Sequence, residues 1–337
     1  MKLSDFDYKL EKSFIAQHPV EPKDHSKLMV VKNNKIEHKQ FYNIIDYLKK
    51  GDVLVINETK VLSNRIIGNK TTGGKAELII NKKLKNNICE CLIKTRKPKT
   101  GAEFIFKNKI KGKIINKKGN LFIVQFNKNI NKIIERIGEL PTPPYVKSKI
   151  KKDTEYQTVY SSVKGSLAAP TAGLHFTKNL LKKLKNKGVK IAKLTLHISF
   201  STFSHIREED FTKHKMDPEY FSISKKNAET INKRRGRLFV VGTTSLKALE
   251  SLNKNKKITA KSGYSNLFIY PGYAFKNKVD GFITNFHLPK SSLLLLTCAF
   301  YGRKNMLNAY EEAIKHNYRF FSFGDAMLLL KENSHPQ

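Results

Sequence analysis

At 337 residues, 39% of them apolar, the chain is long enough to bury a large core and to form one to three domains. Its longest apolar run, Leu293–Phe300, is too short to span a bilayer, and Met1–Lys12 mixes acidic, aromatic and basic residues without the apolar stretch of a secretory signal. These features exclude a membrane-spanning helix and indicate a soluble, cytoplasmic protein. The charge is one-sided: 64 Lys and Arg against 28 Asp and Glu leave +36. Such a field suits a polyanionic partner and puts nucleic acid ahead of the alternative, a lysine count inflated by AT-rich codon drift alone. Three cysteines, Cys89, Cys91 and Cys298, give neither a disulfide framework nor metal-ligand spacing, and no H-E-x-x-H or paired C-x-x-C occurs, so no metal is expected.

Residues 1–61 read as mixed structure. The acidic-aromatic opening Asp5-Phe6-Asp7-Tyr8 precedes a D-H-S-K-L segment at Asp24–Leu28, and a strand at Val53–Ile56 runs into Asn57-Glu58-Thr59. Polar residues at the end of such a strand mark where open α/β folds place ligands, although the same residues also make an ordinary strand-end turn. From about Leu62 to Pro141 the character changes. Short alternating runs (Ala76–Ile80, Ile88–Ile93, Ala102–Phe106, Lys113–Ile115, Leu121–Phe126) alternate with Gly, Asn and Lys turns, which indicates an antiparallel sheet or small barrel. Cys89 and Cys91 share one face of a strand there, and the lysines at Lys107–Lys118 and Lys128–Lys132 give the domain a basic rim. Gly138–Tyr145, reading G-E-L-P-T-P-P-Y, is a Pro-rich return linker.

A strand-like run at Tyr156–Tyr160 leads to the most distinctive stretch, Gly165–Thr177, reading G-S-L-A-A-P-T-A-G-L-H-F-T. Small residues, a fixed Pro170 and a free Gly173 let a ligand approach the backbone, while Thr171, His175 and Thr177 supply donors and a titratable ring. In isolation it also reads as a Pro/Gly loop with a helix cap. Thr177 caps a helix carrying Leu180, Leu181 and Leu184 on one face and stopping at Gly188. Ala192, Leu194, Leu196 and Ile198 then alternate on one face of a strand, which puts Thr195 and His197 on the other.

The remainder repeats strand, polar turn and helix. A polar helix at Ser224–Arg235 precedes the strand Leu238–Val241. That strand runs into Gly242-Thr243-Thr244-Ser245 at a helix start, where backbone N–H groups and hydroxyls suit an anion. F-I-Y-P-G-Y (Phe268–Tyr273), F-I-T-N-F-H-L-P-K-S (Phe282–Ser291) and an apolar helix at Ser291–Phe300 follow. A helix at Asn305–His316 and R-F-F-S-F-G-D-A-M (Arg319–Met327) close the pattern. Repeated βα units predict an α/β sheet flanked by helices, with ligands at the strand C-termini. Neither G-x-G-x-x-G nor a Walker lysine occurs, so a standard dinucleotide or NTPase site is not supported.

Taken together, these turns resemble one family, the S-adenosylmethionine:tRNA ribosyltransferase-isomerases of queuosine biosynthesis. The similarity runs from Leu3–Tyr8 to Phe320–Met327, and its most specific pieces are A-A-P-T-A-G-L-H-F-T, V-G-T-T-S, F-I-Y-P-G-Y and T-N-F-H-L-P-K-S. The resemblance implies an α/β domain made by residues 1–61 and 147–337, with an antiparallel β-barrel inserted at 62–146. It also implies that S-adenosylmethionine is a co-substrate, with no prosthetic group. Its ribosyl moiety would be transferred to the aminomethyl-deazaguanine (preQ1) at the wobble position of tRNA and rearranged to epoxyqueuosine, releasing adenine and methionine. The partner is then a tRNA anticodon stem-loop, and a monomer suffices.

That chemistry needs a base for the carbon beside the sulfonium, an acid for departing adenine and a neutral attacking amine. Histidines suit these jobs, and those on motif turns are His175, His197, His214 and His287. Under the resemblance His175 is the general acid/base with Thr171 orienting substrate, and His197 and His287 are further candidates. Glu219 or Asp325 would receive the amine proton. Thr243, Thr244 and Ser245 would hold ribose or the methionine carboxylate. Tyr270 and Phe286 would offer faces to a base, and Arg65, Lys247 and Arg319 would contact carboxylate or phosphate. Asn57, Thr59 and Asn285 complete the expected substrate-binding set. The chain departs from the family pattern at Ser199 and Ser201, where glycines are usual, and at Lys27, Lys60 and Lys247, where arginine is usual.

Overall fold

A computed structural model describes residues 1–33, 35–148, 150, 152–199, 206 and 208–331. By its internal contacts the chain divides into one unit made of Met1–Lys60 with Pro143–Gln337, and a second made of Val61–Thr142.

In chain order the elements are β1 (Lys27–Lys32), β2 (Lys35–Gln40), α1 (Ile44–Tyr47), β3 (Val53–Asn57) and β4 (Thr59–Val61). The second unit contributes β5 (Arg65–Lys70), β6 (Lys75–Lys83), β7 (Ile88–Lys94), β8 (Glu103–Phe106), β9 (Ile110–Lys118), β10 (Leu121–Phe126) and α2 (Ile130–Ile137). Next come β11 (Val163–Ser166), α3 (Lys178–Asn186), β12 (Lys190–Leu196), β13 (Glu219–Ser222), α4 (Lys225–Asn232), β14 (Leu238–Val241) and α5 (Thr243–Leu252). The last are β15 (Asn253–Lys254), β16 (Lys257–Ile258), β17 (Ser262–Ser265), β18 (Gly281–Asn285), α6 (Ser292–Tyr301), α7 (Arg303–Lys315) and β19 (Ala326–Leu330).

Nine strands of the first unit form one sheet in the order β17-β13-β12-β3-β14-β18-β19-β1-β2. Its centre, β12-β3-β14-β18, is parallel, as the βα grammar predicts. The flanks are mixed: β13 and β17 add antiparallel on one side, while β19 runs antiparallel to β18 and parallel to β1 on the other. The innermost strands β3 and β14 are apolar up to their polar C-terminal ends because both of their faces are covered. Val53 and Val55 of β3 face one core, with residues of α4 to α7. Leu54 and Ile56 face the other, with Leu180, Leu181 and Leu184 of α3. Burial of each such side chain contributes about 1.5–3 kcal/mol.

Two local expectations are corrected. Tyr156–Tyr160 alternates in burial as a strand would, yet it is assigned to no strand among the described residues. Tyr156 ends a short 3₁₀ turn and its ring packs against Phe323, and the strand forms later, at Val163–Ser166. In the second unit, six antiparallel strands close into a barrel, β10-β7-β6-β5-β8-β9. The sequence pattern revealed five of them. β5 was missed because its sequence, R-I-I-G-N-K, carries only one fully buried side chain, Ile66. Cys89 and Cys91 both point into the barrel core, their sulfurs 3.3 Å apart, beside Ile66, Phe104 and Phe122. Among the described residues no helix is long and apolar enough to cross a membrane.

Candidate active site

The C-terminal ends of β14 and β18 meet the loop 169–172 in a narrow cleft. Ala169–Ala172, Ile198, Gly242, Thr243, Thr244, Thr284, Asn285, His287 and Leu293 line it. Each arrives there for a local reason. Gly242 adopts φ +84°, which turns β14 directly into α5, and as N-cap it supplies no side-chain acceptor. The first-turn N–H groups at Thr243 and Thr244 therefore have no cap of their own, an arrangement that attracts an anion. Asn57, at the end of β3, bonds the Leu196 carbonyl and N–H (both 3.0 Å), and its amide also donates to Thr244 Oγ1 at 3.2 Å. It ties three strand ends together. Thr59 follows, its N–H donating to Asn57 Oδ1 at 3.2 Å and its hydroxyl 2.7 Å from His197 Nδ1.

His287 lies on the cleft wall. Its Nε2 is 2.8 Å from Thr284 Oγ1, and its backbone is held from both sides, the N–H donating to Tyr310 Oη and the carbonyl accepting from Tyr8 Oη. Among the described residues Thr284 is the ring's one hydrogen-bond partner, which leaves Nδ1 for a ligand. His175 is different. Its Nε2 accepts from Asn285 Nδ2 at 3.2 Å, which fixes the proton on Nδ1, where it donates to Ser26 Oγ at 2.7 Å. The ring also stacks on Phe41, centroids 4.9 Å apart. Both nitrogens of His175 are thus engaged and 5% of the residue is exposed, so in this structure the ring holds Asn285. Asn285 Oδ1 is buried and has no hydrogen-bond partner among the described residues, a free acceptor in a residue that lines the cleft.

Burial holds both imidazoles neutral. It lowers the pKa of His287 to about 3, and that of His175 to about 3 with help from the Arg319 and Lys23 charges. Burial also lowers His197. Between about pH 6.5 and 3 the unfolded chain binds protons that these two folded rings refuse. Stability is thus complete above pH 6.5 and falls on acidification, by up to about 1.4 kcal/mol per pH unit for each ring. Urea midpoints at pH 7 and pH 5 measure this, and His287→Gln is expected to flatten the slope by one ring's share.

The other expected site residues are placed as follows. Thr171 lines the cleft with Thr243, Thr244, Asn285 and His287. Ser245 is fully buried, with its Oγ unpartnered among the described residues. Phe286, expected to offer a face, is instead core: it is 0% exposed and packs against Tyr310, Tyr318 and Phe320. Tyr270 packs on Phe211 and Phe268. Glu219 and Lys247, expected at the substrate, form a buried ion pair at 2.8 Å, and Glu219 also accepts from the Ser199 N–H at 2.9 Å. Asp325 is likewise occupied, accepting from the Lys27 and Arg319 N–H groups (3.0 and 2.8 Å) and pairing with the Arg319 guanidinium at 3.3 Å. Arg65 belongs to the barrel unit, where Glu77 (3.3 Å) and Glu139 (3.6 Å) pair with it. His214 sits beside Glu208 at 3.4 Å. Ser201 lies outside the described residues.

Sequence reasoning did not single out Ser26, Thr284 or Gly165. All three stood inside quoted segments, and the first two gained meaning only from their histidine partners. Gly165 is favoured by packing, since a Cβ there would come within 2.4–2.7 Å of the His197 imidazole. Gly165→Ala is expected to push that ring off Thr59 and cost about 1–3 kcal/mol, read from the urea midpoint and the His197 ring resonances. One group of potential metal ligands converges among the described residues, His38, Glu312 and His316, which the sequence could not show because β2 and α7 are far apart in the chain. It is not part of the cleft lining, and Lys27 Nζ, 2.9 Å from the His316 carbonyl, adds a positive charge beside it.

A mixed sheet with threonine- and histidine-lined strand ends, joined in sequence to a closed six-stranded barrel, defines an α/β enzyme class with an inserted domain. The family model described as "Queuosine biosynthesis protein" matches residues 3–329, and the chain belongs to this family. It is also similar to the crystal structure of S-adenosylmethionine tRNA ribosyltransferase from Thermotoga maritima, with 34% identity and a TM-score of 0.57, the match covering 97% of this chain and 100% of that one.

Proposed function

We propose that the chain transfers and isomerises the ribosyl moiety of S-adenosylmethionine onto a preQ1 base in tRNA, forming epoxyqueuosine and releasing adenine and methionine. The observation that carries this reading is the cleft, where an uncapped helix start, a neutral histidine and a free amide oxygen converge in a chain of this family. The Thr243 and Thr244 N–H groups and hydroxyls receive the methionine carboxylate or ribose hydroxyls. Asn285 Oδ1 accepts from the adenine amino group or a ribose hydroxyl. His287, neutral and with Nδ1 open, takes the proton from the carbon beside the sulfonium, whose positive charge acidifies it. The electron pair left on that carbon drives the rearrangement, in which the C–N bond to adenine breaks and adenine takes up a proton, the preQ1 amine nitrogen bonds to the sugar and loses a proton, and the C–S bond breaks to release methionine. His175 holds Asn285 in place through its Nε2. The net charge of +36 draws the RNA.

The test is adenine release from S-adenosylmethionine with and without RNA carrying preQ1. Release that requires the modified RNA, with a matching mass gain on it, is the expected result. Salt-sensitive RNA binding with no adenine would overturn the reading in favour of a protein that binds tRNA without turnover.

A further inference from the structure

The hydrogen-bond chain Thr244–Asn57–Thr59–His197 leads from the cleft to a row of rings that this chemistry does not use. His197 follows β12, and its N–H donates to the Tyr220 carbonyl at 2.9 Å. Tyr220 of β13 stands directly opposite Tyr264 of β17. Opposed residues of antiparallel strands share a face, so His197, Tyr220 and Tyr264 stand in line on one side of the sheet. Leu196, Phe221 and Gly263 take the other, where Leu196 and Phe221 enter the core. The imidazole and Tyr220 stack with centroids 5.3 Å apart at 25°, and Tyr264 meets Tyr220 at 5.7 Å and 70°. Tyr264 is 73% exposed, more than any other large hydrophobic side chain described. Its ring meets Tyr220 on one side and leaves most of its surface open.

We propose that His197, Tyr220 and Tyr264 form a stacking platform for an unpaired RNA base beside the cleft, with Tyr264 as the ring on which that base rests. Aromatic rings on adjacent strands read single-stranded RNA because every base has a π-face and stacking tolerates any sequence. The surround is polar: Ser222 and Ser262 stand on the same face, as does Lys193, which pairs with Glu58. An apolar protein partner would want a wider greasy margin than this. The chain's positive charge supplies the attraction for the flanking phosphates. The platform rests on the tRNA reading above and extends it to a named surface.

The experiment measures binding of a labelled, unmodified anticodon stem-loop RNA by fluorescence anisotropy at two salt concentrations, together with S-adenosylmethionine binding by calorimetry. Wild type, Tyr264→Ala and Tyr264→Trp are compared, with Tm confirming that each is folded. Tyr264→Ala is expected to weaken RNA binding about tenfold, and Tyr264→Trp to keep it, since stacking needs only a ring. The salt slope stays the same because no phosphate contact is removed. Wild-type RNA affinity in Tyr264→Ala overturns the platform, as does a wild type that does not bind the stem-loop. A loss confined to S-adenosylmethionine binding also overturns it, by assigning the ring to the co-substrate's adenine. RNA binding that depends on Tyr264 in a protein that never releases adenine leaves the platform standing and removes only the transferase reading.

Discussion

Replacing His287 by glutamine is expected to lower adenine release by about 10²- to 10⁴-fold, the usual contribution of a positioned general base. The residue lines the cleft, and Thr284 holds its Nε2, so the open Nδ1 is the nitrogen that faces chemistry. Burial lowers its pKa to about 3 and so keeps the ring neutral at pH 7, with the Nδ1 lone pair unprotonated. Glutamine keeps most of the volume and one hydrogen bond to Thr284, which separates loss of chemistry from loss of fold. His175→Gln provides the contrast. A residue that orients Asn285 should alter KM for S-adenosylmethionine more than kcat, because the acceptor it holds meets the ligand in both ground and transition states. Equal turnover by His287→Gln and wild type, with His175→Gln inactive, would return the base to His175.

Motif order alone revealed the family, because A-A-P-T-A-G-L-H-F-T and T-N-F-H-L-P-K-S are turns whose residue types are fixed by backbone and ligand together. Periodicity revealed the helix capped by Thr177, since a cap and an apolar stripe are both local, and a continuous apolar run revealed the helix at Ser291–Phe300. Much of the site was less legible. Whether a motif histidine faces a ligand or the core depends on what stands behind it. Ser26 and Asn285, 149 and 110 positions from His175, occupy that ring's two nitrogens, and no window of sequence contains all three. Phe286 misled for a similar reason. A phenylalanine beside Asn285 in a polar motif looks like a base-stacking face, but the alternation of β18 carries its ring into the aromatic core of Tyr310, Tyr318 and Phe320. The edges of the sheet were also hidden, since antiparallel additions such as β13 and β17 are short, and their partners are set by tertiary packing.

Lys247→Met is expected to destabilise the protein by about 3–5 kcal/mol, since it removes the Lys247 ammonium from beside the buried Glu219 carboxylate. The pair is 2.8 Å long, with side chains 8% and 1% exposed, so water cannot replace the lost partner. Against a typical total of about 5–15 kcal/mol, that is a large share of the stability. The double variant Lys247→Met, Glu219→Leu removes both charges and is expected to recover most of the loss. It does not recover all of it, because the Ser199 N–H loses the acceptor it had at 2.9 Å. Urea midpoints of the two singles and the double close the cycle, and a Lys247→Met midpoint equal to wild type would sink the argument. Lys247→Arg keeps the charge and is expected to lie closest to wild type. The double variant also decides what Glu219 does. If it accepts the amine proton during transfer, a folded double variant is inactive. If it serves to anchor Ser199 and the chain that follows His197, adenine release survives at a reduced rate, and the pair's part in catalysis is positional.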